Sequence, residues 1–223
     1  MVEQNSNEEQ KNRSGCWKYG GIGCLVIIIL VIVGVFLAYK GCKRVVGDMT
    51  EKYTSIAAID LPFVEASQEE IDAVLSRVES FTNALEGDGT PEALSLTSKD
   101  INILINNHPK WKGLAGKAYV TIEGNQLKGD ISIPLGEIGK IFEGRFLNGS
   151  AVFSVGMEAG RLLVFLDSAE AGGEKLPENI MNVLRSQNMA EKQIERPEVK
   201  DMMGKLESII VKDGSLIITP KAH

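Results

Sequence analysis

The chain has 223 residues with 24 cationic and 30 acidic side chains, a formal charge of −6. From Tyr53 onward it carries 17 cationic residues against 25 acidic, a charge of −8. That sign argues against nucleic acid as a partner, because phosphate neutralisation supplies most of such affinity. The length beyond a polar tail and one apolar segment suits a single domain with one core.

Residues 1–15, MVEQNSNEEQKNRSG, have almost no apolar content and are expected to be a disordered tail. Residues 20–39 follow, Gly20 to Tyr39, with no charged side chain. Twenty residues at 1.5 Å rise span about 30 Å, the thickness of a bilayer core. Trp17, Tyr19 and Tyr39 stand where interfacial aromatics belong, and Lys18 and Lys40 can snorkel outward. This predicts a single-pass transmembrane helix. A cleaved signal peptide fits worse, since Ala38 is followed by Tyr39 and Lys40 rather than by small residues. The same two residues weigh against lipoprotein processing at Cys42. Flanking charges (Lys11, Arg13 and Lys18 against Lys40, Lys43, Arg44 and Lys52) do not decide orientation. By analogy with signal anchors, the domain is expected outside the cytoplasm.

Residues 40–66 read as a connector that continues the membrane helix for a few turns until Pro62. Residues 67–223 form the expected domain. It opens with a helix capped by Ser67 and Glu70, with Ile71, Val74, Leu75, Val78, Phe81 and Leu85 at helical spacing and Gly87 as its stop. A short helical turn is expected at Thr90-Pro91-Glu92. A second capping box, Thr97 with Asp100, begins a helix that carries Ile101, Leu104 and Ile105 and ends at His108-Pro109.

From Lys117 the period shifts to two, with a hairpin around Gly124-Asn125. Asn148-Gly149 reads as a turn between strands 145–147 and 150–157, which is favoured over its formal glycosylation sequon Asn148-Gly149-Ser150. Strand 161–168 returns across Ala159-Gly160. A helix is predicted over 175–193 with Pro177 near its start, then a closing hairpin around Asp213-Gly214. The predicted fold class is α+β, with a largely antiparallel sheet and helices packed on one face.

Catalytic signatures are missing: there is no G-x-S-x-G, Walker loop, HExxH or CxxC. All three cysteines, Cys16, Cys24 and Cys42, lie in or beside the apolar segment, so the domain has no disulfide and no thiol nucleophile. His108 and His223 lack ligand spacing, and no metal or cofactor is expected. Acidic residues such as Asp100, Asp130, Glu137, Glu143, Glu158 and Asp167 could pair in space, but turn and edge carboxylates are usually solvated. A non-catalytic binding protein is the expectation. One reading gives it an apolar groove between helices and sheet, lined by Ile71, Val74, Val78, Phe81, Ile101 and Leu104, that holds a lipid or another apolar ligand. The alternative is a filled core in an envelope interaction or scaffold module that meets another protein.

The stretch Leu96-Thr97-Ser98-Lys99-Asp100-Ile101-Asn102-Ile103-Leu104-Ile105 resembles the L-T-x-x-E/D-L/I-N-x-L-L motif of bacterial single-pass proteins of the YpmS-like family. Asp100 and Asn102 match its polar positions, and Ile133-Pro134-Leu135 and Leu176-Pro177 resemble its Pro-punctuated strands. The resemblance implies a bacterial envelope protein with a domain like the tubular lipid-binding type. It supplies no catalytic residue.

Overall fold

A computed structural model describes residues 46–87, 91–136, 139 and 142–222. The tail 1–15 and the apolar segment 20–39 lie outside those residues, as do Thr90 of the expected turn and Glu137. No helix among the described residues is long and apolar enough to cross a membrane. The rest is α+β, with every strand pair antiparallel.

Helix α1 (Val46–Tyr53) leads into an extended segment and then α2 (Gln68–Glu86). Both expected capping boxes form. Ser67 accepts from the Glu70 backbone N–H while the Glu70 carboxylate accepts from that of Ser67. Thr97 and Asp100 do the same at α3 (Ser98–Asn107), which ends at His108 before Pro109. The two boxes are also tied to each other. Glu70 of α2 pairs with Lys99 of α3, and Asp100 of α3 pairs with Arg77 of α2 at 3.2 Å.

Five strands form the larger sheet, in the order β2 (Ala118–Glu123), β3 (Gln126–Pro134), β4 (Phe146–Glu158), β5 (Arg161–Ala171) and β6 (Glu174–Lys175). The smaller sheet is β1 (Leu94–Thr97), β8 (Ser215–Pro220) and β7 (Leu206–Lys212). The strand β7 lies against β4 and β3, so the two sheets share the core. Alternation is clean on β1 and β2, where every second residue is buried, and on β5 it slips by one residue at Asp167-Ser168, where the pairing with β4 shifts register. Phe153, Leu96, Leu104, Leu162 and Ile209 are among the most enclosed side chains. Full burial of each such side chain contributes about 1.5 to 3 kcal/mol.

Three expectations are corrected. Asn148-Gly149 is not a turn but part of the continuous strand β4, paired to β3 at Ser132 and Ile131 and to β5 at Ala171. Glycine is needed there because a Cβ on Gly149 would stand 2.7 Å from the Glu170 carbonyl oxygen. The helix over 175–193 is only α4 (Glu178–Arg185), followed by α5 (Glu191–Ile194) and α6 (Pro197–Gly204). Asn188 interrupts it by turning into the edge of β5. Within the connector, α1 stops nine residues before Pro62, at Tyr53. Two strands were not foreseen: β1 has only four residues and β6 two, too few to show a period, and they exist by pairing with β8 and β5.

Candidate functional site

The six residues of the expected groove come together, but inside protein. Val74, Val78, Ile101 and Leu104 are buried core side chains, and Ile71 and Phe81 are half-buried against the same cluster. Helices α2 and α3 press these faces onto β1 and β2.

The motif around Asn102 is a structural device. The Asn102 side chain is fully buried. Its Oδ1 accepts from Val120 N–H at 2.8 Å, and its Nδ2 donates to Val120 C=O at 2.6 Å and to Ser98 C=O at 2.8 Å. Ser98 Oγ accepts from Ile122 N–H at 2.7 Å. One turn of α3 thus stands in for a missing strand along the outer edge of β2. On the far side the two-residue β6 pairs only with Glu170 and Ala171 of β5, and the flank of β5 that it leaves open is closed by similar chemistry. Asn188 Oδ1 accepts from Val164 N–H and its Nδ2 donates to Leu162 C=O, both at 2.9 Å. Met189 N–H then donates to Val164 C=O at 2.8 Å, and Arg185 Nε to Asp167 C=O at 3.0 Å. An open edge invites pairing with other chains, and here β2 and the flank of β5 left free by β6 both carry covers.

The acidic residues are dispersed. Asp100 belongs to its cap, Asp130 pairs with Lys128 at 3.2 Å, and Asp167 accepts from Ser154 Oγ at 2.7 Å. No group of three His, Cys, Asp or Glu among the described residues could hold a metal ion. His108 Nδ1 accepts from Lys110 N–H, and the ring tilts against Trp111 with centroids 5.7 Å apart. Burial, then the neighbouring Lys110 charge, pushes the His108 pKa down. The Glu70 carboxyl is held below its ordinary value, first by the hydrogen bond from Lys99 and then by the Ser67 backbone N–H. Both groups stand at helix ends and face no cleft.

The surface that stands out is the extended segment from Ser55 to Ala66. It carries Ile56 at 81 %, Ile59 at 46 % and Phe63 at 77 % exposure. The other large exposed apolar residues among those described, Val183 and Ile210, stand apart on α4 and β7. The strap is pinned rather than loose. Ser55 and Phe146 exchange backbone hydrogen bonds at 2.9 and 2.7 Å. Asn148 Nδ2 donates to Ala57 C=O at 2.9 Å, Ser132 Oγ donates to Asn148 Oδ1 at 2.9 Å, and Ile59 N–H donates to Ser132 Oγ at 3.2 Å. Asn148 and Ser132, both buried, thereby anchor a segment that has no secondary structure of its own.

Helix α1 is fixed beside it. Arg145 donates to Thr54 Oγ1, to Thr50 C=O at 3.0 Å and to Thr54 C=O at 3.3 Å, covering the open carbonyl end of the helix with positive charge. Gly172, at φ +62°, lets this end approach closely, since a Cβ would lie 2.6 Å from the Lys52 carbonyl oxygen. Its N–H donates to Asn148 C=O at 2.8 Å. Sequence reasoning treated this region as a connector, yet the run of Ile56, Ile59, Leu61, Phe63 and Val64 was the available signal. The latches, 73 to 95 residues downstream for the hydrogen bonds and 120 for Gly172 against Lys52, left none.

Comparison of the chain with known proteins found no matching family model, no matching curated protein and no matching solved structure.

Proposed function

We propose that the protein is a membrane-tethered, non-catalytic interaction or scaffold module whose described residues form a filled domain held at the bilayer by the segment 20–39. The observation that supports this reading most directly is the burial of Val74, Val78, Ile101 and Leu104 against protein neighbours, beside an exposed apolar strap on a fixed backbone. A ligand between helices and sheet would have to displace packing worth about 1.5 to 3 kcal/mol per side chain. The covers on β2 and β5 favour recognition by side-chain surfaces over strand addition along those two strands. In this reading the protein has an envelope partner and lies in the cell membrane with the domain outside the cytoplasm.

Native mass spectrometry of the fragment 46–223, purified without detergent and offered phosphatidylcholine, tests it. The expected spectrum is the bare polypeptide. A stoichiometric acyl-containing adduct, lost in a folded Val78→Asn or Leu104→Asn variant, would overturn the filled-core reading in favour of lipid or another apolar ligand held in the groove.

A further inference from the structure

We propose that the strap from Ser55 to Ala66 is the face by which the domain lies on the bilayer, with Ile56, Ile59 and Phe63 seated at the headgroup and acyl boundary. The proposal rests on the reading that residues 20–39 cross the membrane, and it names the first partner of the module as zwitterionic lipid.

The length of chain leading to the strap carries the first part of the argument. Six residues separate Tyr39 from Val46, a reach of at most about 25 Å even when fully extended. The eight-residue α1 then adds only about 12 Å. Because Arg145 and Gly172 fix the end of α1 to the domain, stalk and strap form one unit, and Ile56 follows three residues after the helix ends. Together the link and α1 hold the stalk end of the domain within about 37 Å of the bilayer, nearer to it than the rest of the domain, and that end carries the exposed Ile56, Ile59 and Phe63.

The second part is the kind of surface. Three large apolar side chains left in water would each regain part of the roughly 1.5 to 3 kcal/mol of full burial by entering the interface. The strap's backbone is held by Asn148, Ser132 and the Ser55–Phe146 pair, so little further order has to be imposed when it docks. Its own ionisable residues are Asp60 and Glu65, both exposed, and it contains no Lys or Arg. With Asp48 and Glu51 they balance the four cations that precede the strap, Lys40, Lys43, Arg44 and Lys52, so residues 40–66 carry no net charge to attract anionic lipid. The contact is therefore driven by apolar insertion and is made with zwitterionic headgroups.

The full chain, with Cys16, Cys24 and Cys42 changed to Ala, would be placed in phosphatidylcholine nanodiscs with one nitroxide at a time. Labels at Ile56→Cys and Phe63→Cys report the strap, and Val31→Cys reports the apolar segment. Glu123→Cys is the aqueous control, at the tip of the β2–β3 hairpin, opposite the end where Ser132 holds the strap. All strap labels replace exposed side chains, so folding is preserved. The expected result is a ratio of oxygen to nickel-chelate collisions at Ile56→Cys and Phe63→Cys severalfold above that at Glu123→Cys, with no gain when phosphatidylglycerol is added. Lipid-like values at Val31→Cys with water-like values on the strap would overturn this proposal and leave the anchor standing. Water-like values at Val31→Cys would overturn both. Dipolar broadening between strap labels would assign the surface to a second copy, and contact that appears only with phosphatidylglycerol would assign it to anionic lipid; either result overturns the proposal.

Discussion

The free flanks of β2 and of β5, on opposite sides of the five-stranded sheet, are closed by the same side chain from different supports. At β2 the asparagine is Asn102, in the middle of a capped helix and fully buried. At β5 it is Asn188, in a turn between two short helices and half-buried. The helical residue is fixed by the packing of Ile101, Leu104 and Ile105, so its amide is preorganised. The turn residue shares its edge with Met189 and Arg185, which divide the same task. On β2 Asn102 alone holds both polar groups of Val120, with Ser98 beside it at Ile122, so β2 should depend on its asparagine more than β5 does.

The largest effect should therefore come from Asn102→Ala, which leaves the Val120 N–H and C=O buried without partners. About 3 to 4 kcal/mol of stability should be lost, read from urea unfolding of the fragment 46–223. For Asn188→Ala the expected loss is about 1 to 2 kcal/mol, because Asn188 is only half-buried and Met189 N–H still pairs with Val164 C=O. Equal losses for the two variants would break the comparison. The double variant should lose the sum to within about 0.5 kcal/mol, since the sites lie on opposite sides of the sheet; a larger coupling would mean that the sheet transmits strain between them.

Thr97→Ala sharpens the same point at its source, the cap of the helix that carries Asn102. It should cost about 1 kcal/mol and raise amide exchange at Val120 and Ile122 more than at Val164.

The smallest effect is that of pH. Glu70, with its folded pKa lowered, contributes stability that is present above about pH 4.3 and lost as pH falls through the folded value. His108 is held neutral by burial, and its contribution is complete above about pH 6.5 and lost as pH falls through its depressed value. Both act in one direction, so acid should weaken the fold. Glu70→Gln should flatten the lower part of that slope and His108→Gln the upper part in urea midpoints taken from pH 2 to 8; slopes unchanged by either variant would rule these two groups out.

Much of the fold was legible where the signal is local. Ser67 with Glu70 and Thr97 with Asp100 announced two helix starts because a cap needs only residues three apart. Gly124-Asn125, Ala159-Gly160 and Asp213-Gly214 announced hairpins, and the chain takes positive φ at Gly124, Ala159, Gly160, Asp213 and Gly214. Asn148-Gly149 offered the same local signal and misled, because its meaning is set by Glu170 across the sheet and by Ala57 on the strap. The apolar spacing of Ile71, Val74, Val78, Phe81, Ile101 and Leu104 identified residues that meet, but periodicity cannot say whether the space between them is filled.

The sequence by itself determined the α+β class, the two capped helices, three hairpins and the negative charge, all of which depend on residue types within a few positions of one another. Tertiary structure decided that β1 joins β8, that Asn102 and Asn188 close the sheet, and that Ser132, Asn148, Arg145 and Gly172 bind the stalk and strap. Those partners are brought together only by the folded core. A hydrogen bond between groups dozens of residues apart imposes no spacing on the chain, so no local pattern records it.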